Sequence, residues 1–185
     1  MARLNDFFTR IDLSILTDYA VKNGRIVKYS RGEVLCREGE ICRYIGIVRS
    51  GYFKFVSLGF KGEECVTGFS FEGEAVLDYV QSFLQNSPSL TSIVAGSDAE
   101  IVQVPLADLR NYLLEDEPDF IVKTSAVLLQ EAYRRYIDLY IKTPARRYAE
   151  LCERCHESVS IIPLQEIASY LTISRRQLHR IRGER

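Results

Sequence analysis

Residues 163–185 read PLQEIASYLTISRRQLHRIRGER. Pro163 suits the first position of a helix, where its missing N–H costs nothing, and Ile167, Ala168 and Leu171 mark one apolar side of a short helix. Thr172 and Ile173 make a tight turn. Ser174 followed by Gln177 has the spacing of a capping box and opens a second helix whose buried side is Leu178 and Ile181. Two short helices joined by so brief a turn have helix-turn-helix spacing. The second helix leaves Ser174, Arg175, Arg176, Gln177, His179, Arg180 and Arg182 for solvent or ligand, and only Glu184 opposes them in sign. A merely solvated face usually mixes signs. Arginine forks and a glutamine amide grip phosphates or read base edges in a major groove, so these seven residues are the candidate DNA-binding set.

Upstream, the charge balance agrees. The net charge of -1 hides a division at Ile141. The residues up to it hold 15 Lys and Arg against 20 Asp and Glu, whereas Lys142 to Arg185 holds 9 against 5. An acidic body joined to a basic end points the end at a polyanion. Between them, PDFIVKTSAVLLQEAYRRYIDLYIK has no glycine and no proline after Pro118, and predicts one helix over 118–142. Val122, Ser125, Leu129, Ala132, Tyr136 and Leu139 alternate steps of three and four along it, the spacing of a coiled-coil seam. The same pattern is open to a helix packed on its own domain.

From Asn23 to Pro105 glycines punctuate the short runs RIVKY, YIGIV, YFKFV and IVQV. Many short strands with regular turn signals predict an all-β sandwich, jelly roll or barrel. After Thr143-Pro144 comes LCERCHES, then a short β-prone SVSII over residues 158–162. Cys152, Cys155 and His156 spell the attachment signature of c-type haem. Covalent haem belongs outside the cytoplasm, yet the N-terminal stretch carries Asp6, Arg10, Asp12 and Asp18 where an export signal needs an apolar run. Tyr148, Leu151, Cys152 and Cys155 instead recur at helical spacing between charges, so cysteine serves as a small apolar residue of an amphipathic helix. Five cysteines, an odd number, in a chain able to build its own core predict free thiols. No apolar run spans a bilayer, so a cytoplasmic protein without membrane association is expected. A cupin-type metal enzyme would need clustered histidines, and His156 and His179 both lie outside the β region; an iron–sulfur cluster would need grouped cysteines, and Cys36, Cys42 and Cys65 are scattered. No metal, cofactor or catalytic residue is expected.

The order of β-roll, long helix and C-terminal helix-turn-helix resembles the Crp/Fnr family of bacterial transcription regulators. SRGEVLCREGEICRYIGIVRSGYFKFV is similar to the family's opening strands, with Gly32-Glu33, Glu38-Gly39 and Gly51 in place, and IASYLTISRRQLHRIR to its DNA-reading unit. The resemblance implies an α+β chain: a double-stranded β-helix, a jelly-roll-like sensor, over 1–117; a dimerisation helix over 118–142; and a helix-turn-helix domain over 143–185. It also implies a homodimer along the long helices, paired half-sites on double-stranded DNA, and RNA polymerase as a further partner. A stand-alone sensor with weak or lost DNA binding is the alternative. The family's turn carries glycine where this chain has Thr172, and a β-branched residue tolerates positive φ poorly.

Members of the family that bind cyclic nucleotides hold the phosphate with an arginine and the ribose with a Gly-Glu glutamate. Gly73-Glu74 matches the second element. Ser89 stands in place of the arginine, with Leu90 and Thr91 beside it, and these five residues are the candidate effector pocket. From Gly62 to Leu109 there is no lysine or arginine, against eight carboxylates. A cyclic nucleotide is therefore not expected; an uncharged ligand, a protein signal or no effector remain open.

Overall fold

The computed structural model describes residues 4–183, and the backbone alone for 155–158. A 3-10 turn, Asp6–Arg10, and helix α1, Ser14–Asn23, come first. Strands β1 Arg25–Tyr29, β2 Val34–Cys36, β3 Tyr44–Ser50, β4 Tyr52–Leu58, β5 Glu64–Phe71, β6 Ala75–Val76, β7 Ser92–Ala95 and β8 Ala99–Pro105 follow. Helices α2 Leu106–Glu115, α3 Pro118–Ile141, α4 Pro144–Ile161, α5 Leu164–Tyr170 and α6 Arg175–Gly183 complete the chain.

The strands form two antiparallel four-stranded sheets, ordered β1-β8-β3-β6 and β2-β7-β4-β5. The pairs β1–β8, β2–β7, β3–β6 and β4–β5 nest inside one another, so the roll is one long hairpin wound about its β4–β5 tip. This is a jelly roll, as the glycine-punctuated sequence predicts. Gly51, φ +74°, turns the chain from β3 into β4; a Cβ there would strike the Asp98 carbonyl oxygen. Phe53, Ile93 and Ile101 are buried between the sheets, and Tyr29 of one sheet meets Phe53 of the other edge-on at 5.4 Å. Burying such side chains contributes about 1.5–3 kcal/mol each. Gln103 is buried as well, its Oε1 accepting from the Tyr29 hydroxyl at 2.8 Å.

Three local expectations are corrected. The β region is interrupted by a wide helical turn, Tyr79–Leu84, started by Asp78, whose carboxylate accepts from Ser82 N at 3.0 Å. SVSII forms no strand: α4 runs through Ile161, and the chain leaves the helix only at Ile162, which the following proline forces into an extended conformation. Pro163 is the residue that caps α5 and not its first helical residue. Helices α1 and α2 were not predicted; each buries a narrow stripe, Leu16 and Ala20 in the first, Leu106, Leu109 and Leu113 in the second.

By internal contacts Asp12–Val122 is one compact unit, the roll with α1 and α2; the described residues before and after it make the other. In this second unit α3 has two unlike faces. One carries Glu131, Arg134, Arg135 and Asp138, all engaged within the unit: Arg134 chelates Glu131, Arg10 reaches Glu131 at 3.6 Å, and the Arg135 guanidinium lies 4.5 Å over the Tyr170 ring. The other carries the seam. Val122, Leu129, Ala132, Tyr136 and Leu139 are exposed and Ser125 is half-buried.

Candidate functional site

The helix-turn-helix begins with α4. Thr143, held extended before Pro144, caps α4 by accepting from Arg146 N at 3.3 Å. Tyr148 and Leu151 are buried, and Cys152 is half-buried; the side chains of Cys155 and His156, on which the haem signature depends, lie outside the described residues. Ile162, Ile167, Ala168, Leu171, Leu178 and Ile181 form the small core that locks α5 to α6.

Between these helices Thr172 adopts φ +57°, the left-handed conformation that glycine takes at little cost. Its N–H bonds Ser169 O at 2.9 Å and the Ile173 N–H bonds Ala168 O at 3.0 Å, the paired closure of a Schellman turn. Arg147, from α4, reinforces it: one guanidinium nitrogen donates to Leu171 O at 3.0 Å and another to Lys142 O at 2.8 Å. Nothing in the spacing of this arginine links it to residue 171, so its role is not legible before folding.

Ser174 then caps α6, its Oγ accepting from Gln177 N at 3.1 Å. Leu178 and Ile181 turn inward, so Arg175, Arg176, His179, Arg180 and Arg182 all face outward, with Gln177 half-buried at their edge. Among the described residues Arg175, Arg176 and Arg182 make no ion pair. Four arginines on nine residues thus present a cationic face, and Glu184 lies outside the described residues.

The second candidate site lies in the roll. Gly73, φ +80°, turns β5 toward β6, its N–H bonding Val48 O at 2.8 Å. Glu74 is 1% exposed, and its carboxylate accepts from Phe71 N at 3.0 Å, so it is a buried carboxylate and not a solvated one. Ser89 is likewise buried. Its hydroxyl donates to Thr91 O at 2.8 Å, and its backbone joins the 37–41 turn through Gly39 N–H to Ser89 O at 2.8 Å and Ser89 N–H to Glu40 O at 2.9 Å. Leu90 is exposed, while its carbonyl accepts from Ser57 Oγ at 2.8 Å. Gly73-Glu74 is thus tied to β3 and β5, and Ser89 to Thr91 to the 37–41 turn and β4. Two features escaped the sequence reading. Ser82 Oγ bridges the Asp78 carboxylate, at 2.7 Å, to Cys42 N, at 2.9 Å. Lys54 of β4 crosses to Glu64 of β5 at 3.0 Å, pairing a cation with one of the roll's carboxylates. Among the described residues no cluster of His, Cys, Asp or Glu could hold a metal, and no helix is long and apolar enough to cross a membrane.

Residues 26–116 match the cyclic nucleotide-binding domain family. No curated protein sequence matches the chain. In solved structures it is similar to FixK2 from Bradyrhizobium japonicum, at 16% identity over 87% of this chain and 83% of that one, with a TM-score of 0.74. It is similar too to the c-di-GMP responsive global regulator CLP of Xanthomonas campestris, at 15% identity, coverage of 94% and 91%, and a TM-score of 0.69. A third is the catabolite activator protein of Thermus thermophilus, at 18% identity, coverage of 96% and 85%, and a TM-score of 0.56. Residues 26–116, just under half of the chain, thus resemble a cyclic nucleotide-binding domain, and the chain has the fold of solved Crp/Fnr-family regulators.

Proposed function

We propose that this protein is a sequence-specific DNA-binding transcription regulator that acts as a homodimer and does not answer to cyclic AMP. The observation that carries the reading is α6: a capped helix whose inward side is spent on Leu178 and Ile181 and whose outward side holds Arg175, Arg176, Arg180 and Arg182. In helix-turn-helix readers, side chains near the start of the second helix point at base edges. Arg175 and Arg176 are therefore base readers, helped by Gln177, while Arg180 reads a base or holds a phosphate, and Ser174, His179 and Arg182 complete the DNA-binding set. The exposed α3 seam supports a dimer, which sets two such helices on half-sites about 34 Å apart.

Selection of bound DNA from a random pool with the purified protein tests this directly. A paired motif is expected. Arg175→Ala should cost about 1–3 kcal/mol and relax preference at one position, whereas loss of a phosphate contact weakens all sequences alike. If no motif emerges and Arg175→Ala leaves affinity unchanged at low salt, the regulator reading is wrong.

A further inference from the structure

One side chain joins the end of the seam helix to the turn of the helix-turn-helix. α3 ends at Ile141, and the chain leaves it through Lys142 and the extended Thr143 before Pro144. The N–H that would continue α3 onto the Lys142 carbonyl is that of Arg146, and the Thr143 hydroxyl engages it. Arg147 takes that carbonyl through one terminal nitrogen, at 2.8 Å. Its other terminal nitrogen donates to Leu171 O at 3.0 Å, where α5 gives way to the turn. Leu171 and Thr172 come just before Ser174, the cap of α6, so the grip falls at the end of α6 that carries Arg175 and Arg176.

The anchor on the α3 side is itself held. The Lys142 ammonium bridges Asp138 of α3 and Glu150 of α4, each at 2.8 Å, and all these residues belong to the same compact unit. The Arg135 guanidinium over the Tyr170 ring also ties α3 to α5, but a ring face is a less directional partner than two aimed hydrogen bonds.

We infer that Arg147 is a positioning residue that fixes α6 to the end of α3 and thereby sets which half-site spacing the dimer accepts. The inference rests on the reading of the protein as a dimeric DNA-binding regulator. In a dimer joined along α3, the distance between the two α6 helices depends on how each helix-turn-helix is held to its own α3. A guanidinium keeps its N–H groups in a rigid plane, so two carbonyls gripped by one fork keep a fixed relation to each other. The ammonium of a lysine, on a flexible stem, has no such plane; it holds one carbonyl and frees the other. Both bonds of Arg147 go to protein carbonyls, so it acts through Arg175 and Arg176.

Selection from a random pool with full-length wild type, Arg147→Lys and Arg147→Ala tests this. All three should select the same half-site sequence. The wild type should fix a single spacing, whereas both variants should accept half-sites moved a base pair closer or further apart. Affinity at the wild-type spacing should fall roughly tenfold, the effect of losing one charge-assisted bond. Arg147→Lys should keep more thermal stability than Arg147→Ala while scattering the spacing as widely, a division that a purely structural role does not produce. A single, unchanged spacing in either variant, or an altered half-site sequence, would overturn the inference. Amide exchange without DNA reads the grip itself. In Arg147→Lys, exchange at Thr172 and Ile173, whose N–H groups close the turn on Ser169 and Ala168, should quicken roughly tenfold while Leu178 within α6 keeps its wild-type rate. Equal quickening at all three would make Arg147 a general support of the domain, and no quickening would mean that the fork does not hold the turn; either result ends the inference. A wild type that selects no motif ends the regulator reading and the spacing claim with it, and the exchange rates then still decide whether Arg147 holds the turn.

Discussion

Thr172 takes a backbone conformation that costs an L-residue about 1–2 kcal/mol, and the local structure shows what sustains it. Two backbone bonds close the Schellman turn around it, its own hydroxyl donates to Leu171 O at 2.6 Å, and Arg147 binds the same carbonyl from outside. The turn that the sequence left in doubt thus closes as a Schellman turn without a glycine. Glycine at this position would remove the strain while giving back about 0.5–1 kcal/mol of unfolded-chain entropy. Thr172→Gly is therefore expected to raise unfolding stability modestly, by about 0.5–1 kcal/mol, and chemical denaturation measures it. A loss of stability would mean that the threonine hydroxyl matters more than the strain.

At the scale of elements, α3 divides its two faces between different tasks. The face toward its own unit is charged and satisfied; the seam face is apolar and uncovered, with Leu129 72% exposed. Leu129→Glu places a charge in the middle of that seam and should convert a dimer into monomer with little effect on folding. Light scattering at tens of micromolar reads it, and a wild-type protein that is monomeric there, roughly tenfold above a micromolar dissociation constant, ends the dimer reading. The junction of α3 with α4 is electrostatic. Lys142 bridges Asp138 and Glu150, each at 2.8 Å, and Arg146 also binds Glu150. The Lys142 hydrogen bond, aided by Arg146, holds the Glu150 carboxyl below its ordinary value. Its contribution is thus present above the unfolded value of 4.5 and lost as pH falls through the lower folded one. Stability should decline below about pH 4.5, by no more than about 1 kcal/mol from this site, and Glu150→Gln should flatten that part of the profile. Elements with strong periodicity or punctuation were legible in the sequence: the strands around Gly51, the α3 helix from Pro118, the Ser174 cap. Short helices such as α1 bury only two residues and leave too weak a stripe to read. SVSII looked like a strand because β propensity is local, whereas the helix it joins was already propagating through 150–157. Arg147 and Lys54 were invisible for another reason: their partners, 24 and 10 residues away, are fixed by tertiary folding alone.

At the scale of the whole molecule, the acidic body and the basic end ask for different partners. Its basic end would attract a polyanion and the carboxylates of its acidic body would repel one. The same field bears on any anionic effector. Among residues 62–109 the roll offers no cation, Lys54 is already paired with Glu64, and Ser89 satisfies its hydroxyl on Thr91. A charge-assisted bond to phosphate contributes about 1.5–3 kcal/mol, so a cyclic nucleotide that lacks it should bind roughly ten- to a hundredfold more weakly. Calorimetric titration with cyclic AMP and cyclic GMP should therefore show no submicromolar binding to the wild type. Ser89→Arg is expected to gain measurable affinity only if the arginine can leave the buried Ser89 position and reach the ligand. Submicromolar binding of either nucleotide by the wild type would refute the charge argument, and would make Glu74→Gln the next variant to titrate, as the test of a carboxylate holding the ribose.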